Sequence, residues 1–197
     1  MFDSICVYCG SSSRAAEPYF EAARGLGRLI AARKLKLVYG GAHVGLMGAL
    51  ADAVLAEGGH ATGVIPRALV EKEVAHTRLT EQHVVESMHD RKALMCELAG
   101  AFVAMPGGFG TLDELFEILT WAQLRFHAKP VGLLNVNGFF DHLLAFCDRA
   151  AADSFINPAH REMIFVDSDP AALLDAMAAH QPPADYKVWL AKGRSKA

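Results

Sequence analysis

The chain has 197 residues, a formal net charge of −3, and 52% hydrophobic against 21% charged residues. That length suits one domain with a buried core. The near-neutral balance excludes the broad basic field of a general nucleic-acid binder, while a local site for a small anion stays open.

The first apolar run, Ile5–Tyr8, reads as a strand. No basic stretch precedes it, and no apolar stretch reaches the roughly 18 residues of a membrane span, so the sequence predicts a cytosolic protein without secretory leader or membrane anchor. Helical spacing follows over Pro18–Ala32, with Phe20, Leu26, Leu29 and Ile30 as anchors. Leu35–Tyr39 is a second strand broken by Gly40-Gly41; Leu46–Ala56 is a helix stopped by Gly58-Gly59; Ala61–Ile65 is a third strand ended by Pro66. The polar stretch from Arg67 to Gln82 takes no assignment, and a short strand can follow at His83–Val85. A helix is expected over His89–Ala99, a strand over Ala101–Met105 and a helix over Thr111–Phe126. A strand at Val131–Leu134, a helix at Phe139–Ala152, a strand at Ile164–Val166 and a helix at Ala171–Ala179 complete the order.

Strands alternating with helices of this length predict an α/β fold, a Rossmann-like three-layer sandwich with a central parallel sheet and helices on both faces. One catalytic domain is expected over 1–180, followed by a tail at 181–197 with Tyr186, Val188, Trp189 and Leu190 as its only anchors.

Four cysteines occur, at 6, 9, 96 and 147. Cys6 and Cys9 form a C-x-x-C, but the second pair of a zinc site is missing. The redox form of the motif opens a helix, whereas this one falls at a strand end. All four read as thiols of a reducing compartment.

In an open parallel sheet, ligands bind beyond the carboxyl ends of the strands. Three glycine-bearing segments fall there: Gly10-Ser11-Ser12-Ser13, the run from Gly40 to Gly48, and Pro106-Gly107-Gly108-Phe109-Gly110-Thr111. Any one of them can be a tight turn and no more. Three on one edge point to a phosphate cradle, because glycine lets backbone N–H groups approach a ligand and a helix start adds partial positive charge. No G-x-x-x-x-G-K-[ST] spacing occurs, and the first loop lacks G-x-G-x-x-G, so a mononucleotide fits better than a nucleoside triphosphate or a dinucleotide.

Thr111 and Glu114 have capping-box spacing. Glu114 therefore reads in two ways, as a helix cap or as a carboxylate that stabilises an oxocarbenium-like sugar or orients water. Asp113 reads as a dipole partner of the same helix start. Upstream, Ser87 is an expected N-cap, which puts Arg91 and Lys92 in a first turn where the helix dipole disfavours cations. Asp90, Glu114 or an anionic ligand should compensate, unless the turn is simply solvated. His43 and His89 lack metal-ligand spacing, and no G-x-S-x-G elbow marks a serine hydrolase.

At these motifs the chain strongly resembles the LONELY GUY family of cytokinin-activating phosphoribohydrolases, formerly labelled "possible lysine decarboxylase". The resemblance runs from Cys6-Val7-Tyr8-Cys9-Gly10-Ser11-Ser12 to about Val166. Its most specific parts are P-G-G-x-G-T-x-x-E at Pro106–Glu114 and M-H-x-R-K at Met88–Lys92. Ala42 stands where many members have a third glycine. The resemblance implies Arg91 and Glu114 as the catalytic pair. It implies nucleotide contacts at Lys92, Gly107, Gly108, Phe109, Gly110, Thr111, Leu112, Asp113 and Glu114, and further contacts at Glu73 and Thr120. It also implies a homodimer with sites near the interface, a nucleoside 5′-monophosphate substrate, and no metal or organic cofactor. Two other readings compete: a non-catalytic nucleotide or cofactor carrier on the same fold, and amino-acid decarboxylation. The last needs a Schiff-base lysine against pyridoxal phosphate, and no segment suggests one.

Overall fold

The computed structural model of the chain describes residues 2–72 and 74–181. Its strands are β1 (Ser4–Tyr8), β2 (Lys36–Tyr39), β3 (His60–Pro66), β4 (Glu81–Val85), β5 (Ala101–Ala104), β6 (Val131–Leu134) and β7 (Ile164–Asp167). All pair in parallel within one seven-stranded sheet of order β4-β3-β2-β1-β5-β6-β7. The helices are α1 (Glu17–Ala32), α2 (Gly45–Ala56), α3 (Arg67–Val70), α4 (Met88–Leu98), α5 (Phe109–Gln123), α6 (Asp141–Ala152), α7 (Pro158–Arg161) and α8 (Pro170–Ala178).

Both faces of the sheet are covered, which is why the inner strands read as continuous apolar runs instead of alternating ones. Ile5 and Val7 point to the face packed by α1, α2 and α8, together with Leu26, Leu50 and Leu174. Cys6 and Tyr8 point to the other face, with Met95 of α4, Leu115 and Ile118 of α5, and Phe140 just before α6. The expected three-layer sandwich is the observed fold.

The differences from the sequence reading have local causes. β4 begins two residues earlier than expected, at Glu81, because it is an edge strand whose polar residues face solvent. The unassigned stretch before it contains the single-turn helix α3. α5 starts at Phe109, not Thr111, so Gly108 is its N-cap and the Thr111–Glu114 capping box does not form. α5 also ends at Gln123, short of Phe126, because Arg125 adopts a left-handed conformation (φ 64°). The tail anchors Tyr186, Val188, Trp189 and Leu190 lie outside the described residues. No described helix is long and apolar enough to cross a membrane.

From β1 the chain winds outward through β2, β3 and β4, then returns through α4 to place β5 on the other side of β1. The strand order therefore reverses between β1 and β5. A ligand crevice is expected beyond the carboxyl ends of these two strands.

Candidate active site

Two of the glycine-bearing loops follow β1 and β5, and the third follows β2, so the topology alone brings all three to one edge. They are also tied together. Gly10 N–H donates to Pro106 O (3.0 Å), Leu46 N–H donates to Gly10 O (3.0 Å), and Met105 N–H donates to Tyr8 O (2.8 Å). Beyond them opens a cavity of about 280 Å³, lined among others by Gly10, Ser11, Gly40, Arg91, Gly108 and Glu114.

The start of α5 forms one wall. Its first helical bond runs from Leu112 N–H to Gly108 O (3.1 Å), and no side chain caps it. The N–H groups of Phe109, Gly110 and Thr111 thus have no helical acceptor, and the dipole adds partial positive charge. Space is open over the Cα atoms of Gly108 and Gly110, so an anion can approach the backbone directly. Gly107 does not line the cavity; it packs between Gly10 and Thr111 and sets the distance between the two loops.

α4 forms the opposite wall. Ser87 caps it as expected, in a full capping box: Asp90 N–H donates to Ser87 Oγ (3.1 Å), and Ser87 N–H donates to Asp90 Oδ2 (3.2 Å). Asp90 is thereby occupied, and the cations Arg91 and Lys92 are compensated across the cleft by α5. Arg91 Nη2 lies 3.3 Å from Glu114 Oε1, with both residues buried. Lys92 Nζ lies 3.0 Å from Asp113 Oδ2 and 3.1 Å from Glu117 Oε1. Burial works against the ammonium charge of Lys92, but these two carboxylates hold its pKa above the usual lysine range. Lys92 thus clamps α4 to α5 and does not line the cavity.

The guanidinium of Arg91 rests on the backbone of Gly40: a Cβ there would lie 2.0 Å from Nη2. Arg91 Nη1 faces Met88 Sδ (3.7 Å), and the buried Nε has no partner. Such a donor is expected to meet a ligand or water. Burial pushes Glu114 up to about 7; Arg91 and Lys92 oppose this, while Asp113 and Glu117 reinforce it. Glu114 is therefore poised between its two protonation states near neutral pH.

Several expected contacts lie elsewhere. Leu112 packs into the core under α5. Thr120 donates its hydroxyl to Phe116 O (2.7 Å) and lines a separate cleft with Cys147, Ile156 and His160. Glu73 lies outside the described residues. The sequence does not single out Val7, Tyr8 and Cys9 as cavity residues, nor Glu117 as a partner of Lys92. Only the i,i+4 spacing of Asp113 and Glu117 hinted at the last. Cys6 and Cys9 are buried free thiols whose pKa burial raises, which suits packing and not nucleophilic chemistry. Among the described residues, no group of three His, Cys, Asp or Glu side chains is placed to hold a metal.

The family described as "Possible lysine decarboxylase" matches residues 47–177. The probable cytokinin riboside 5′-monophosphate phosphoribohydrolase LOGL9 of Oryza sativa subsp. japonica is 51% identical, over 92% of this chain and 80% of its own length. The cytokinin riboside 5′-monophosphate phosphoribohydrolase of Rhodococcoides fascians is 49% identical, over 91% of this chain and 90% of its own. Among solved structures, the molybdenum cofactor binding protein of Rippkaea orientalis superposes with a TM-score of 0.69, covering 91% of this chain and 97% of its own. Its identity is 22%, so that likeness concerns the fold alone.

Proposed function

This chain belongs to the cytokinin riboside 5′-monophosphate phosphoribohydrolase family, and we propose that it hydrolyses purine-type nucleoside 5′-monophosphates (cytokinin riboside 5′-monophosphates, AMP or both) to free base and ribose 5-phosphate. The observation that carries this reading is the pairing, across one cavity, of an uncapped helix start with a buried Arg91–Glu114 pair.

The 5′-phosphate sits against the N–H groups of Phe109, Gly110 and Thr111. The ribose then extends toward Glu114. As the C1′–N bond breaks, its electron pair leaves with the base, and ionised Glu114 stabilises the positive charge growing at C1′ or orients the attacking water. Water gives its hydroxyl to C1′, and its second proton balances the one the base takes up. Arg91 holds the carboxylate in place and offers its unpartnered Nε–H to the substrate. The decarboxylase description finds no support in the cavity, which has no lysine among its described lining residues.

We further propose that the protein works as a homodimer. α5 and the turn after it leave Phe116, Leu124 and Phe126 exposed, a surface that suits a partner subunit. Thr120 lies nine residues beyond Thr111, about 14 Å along the helix, too far to share one phosphate. Its exposed position suits a contact with a nucleotide held by a partner subunit.

The test is incubation of the pure protein with AMP and with isopentenyladenosine monophosphate, resolving free base by chromatography. Base and ribose 5-phosphate should appear in equal amounts. Binding of both nucleotides without base release would leave a carrier.

A further inference from the structure

The loop between β2 and α2 is held from outside the site. Residues 41–43 pair with 74–76 in a short antiparallel bridge: His43 N–H donates to Val74 O (2.9 Å), His76 N–H donates to Gly41 O (2.8 Å), and Ala42 faces Ala75. The 74–76 segment has no sheet of its own to hold it. Val74 is held by its N–H to Leu69 O (3.4 Å) and by His43 Nδ1 beside its carbonyl (3.1 Å), and the other end of the segment is anchored by the side chain of His76, which is only 3% exposed.

Both ring nitrogens of His76 are satisfied. Nδ1 accepts from Arg78 N–H (3.1 Å), which places the ring proton on Nε2, facing Asp52 Oδ1 at 3.2 Å. Asp52 belongs to α2, is half-exposed, and also accepts from Arg78 Nη2 (2.7 Å). The loop is thus fixed by β2 before it, by α2 after it, and by a third segment that His76 ties back to α2.

What the loop carries is the seat of Arg91. Gly40 and Gly41 are adjacent, and the guanidinium lies so close to Gly40 that no Cβ fits between them. Displacing Gly41 would carry Gly40 with it, and with Gly40 the surface that sets the 3.3 Å approach of Arg91 to Glu114. Sub-ångström misplacement of a reacting constellation is costly in rate.

We propose that His76, held by Asp52, is a positioning residue for Arg91: its buried ring pins the 74–76 segment to α2, and that segment fixes Gly40 and Gly41 as the surface on which the guanidinium lies. His76 does not line the cavity and acts only through the loop. The rate readout rests on the phosphoribohydrolase reading.

A double-mutant cycle with Arg91 tests it. His76→Ala should lower kcat/KM for base release from AMP about tenfold in the otherwise native protein, and less than about twofold in an Arg91→Ala background, measured in single turnover with enzyme in excess. His76→Gln, whose amide N–H can still reach Asp52, should recover most of the loss. A general structural defect would instead cost the same factor in both backgrounds. Should His76→Ala fail to fold, Asp52→Ala, which removes the half-exposed partner, carries the same comparison. Equal fractional losses in the two backgrounds, or no loss in the native one, would overturn the proposal. If the native protein releases no base, the hydrolase reading falls by itself, and the same cycle is read on AMP affinity by calorimetry.

Discussion

Arg91 and Glu114 face each other at 3.3 Å from two different helices, α4 and α5, which meet over the point where the sheet reverses its strand order. A pair of this kind adds little to stability. A buried ion pair recovers in attraction about what it loses in hydration, and here burial dominates strongly enough to lift Glu114 to about 7. The pair makes sense as a prepared charge environment.

The first support is Gly40. A Cβ at this position would lie 2.0 Å from Arg91 Nη2 and 3.0 Å from Met47 Sδ, so Gly40→Ala has to push the guanidinium off its seat. The variant should fold, since the added methyl meets side chains and not backbone. Its kcat/KM for AMP should fall about tenfold or more, at about 1.4 kcal/mol per factor of ten. An unchanged rate would mean that Arg91 does not act from the position observed.

The second is the charge balance around Glu114. If the ionised carboxylate is the working form, kcat/KM should rise with pH through about 7 and fall below it. Glu117 raises the Glu114 pKa, so Glu117→Gln should move the acid limb to lower pH. Comparing the two proteins on one substrate cancels the ionisation of the substrate phosphate. An inflection that stays in place or moves upward contradicts this account of Glu114.

Much of this was legible in the sequence. The alternating runs gave the three-layer fold because strands buried on both faces stay apolar throughout. Ser87 was readable as a cap because it has a side-chain acceptor and Asp90 sits at the matching position. The start of α5 is hidden in the sequence because its N-cap is Gly108, which has no side chain to signal it, while Thr111 and Glu114, three and six residues further on, imitate a capping box. The sequence also showed that two cations opened α4 without showing which anions would meet them. That choice depends on how α4 lies against α5, where Glu117 faces Lys92 and Glu114 faces Arg91. The seat at Gly40 was invisible for the same reason: it is a contact between segments about 50 residues apart in a parallel fold.

The third expectation concerns the phosphate. The open N–H groups of Phe109, Gly110 and Thr111 have nothing to bind in a nucleoside. AMP should exceed adenosine in kcat/KM by about a hundredfold or more, since remote binding energy is used at the reacting centre. Equal values would remove the phosphate from the start of α5.

The fourth concerns assembly. Light scattering at micromolar concentration should report a dimer or larger. Leu124→Asp, at a residue 50% exposed, should shift the protein toward monomer and lower its activity, because a charge in an apolar contact is poorly tolerated. A native monomer with full activity would contradict the role given to Thr120.

The central claim is that the negative charge of Glu114 acts in the transition state. Because α5 starts directly after Gly108 and Glu114 lies inside the helix, capping no longer offers an alternative role for this side chain. Glu114→Gln keeps shape and hydrogen bonding but removes the charge. Calorimetric AMP binding should be paired with single-turnover base release on this one variant. The account predicts binding within a few-fold of native and base release slowed about a hundredfold or more, or about 2.7 kcal/mol of barrier. Base release by Glu114→Gln at near-native rate would contradict it.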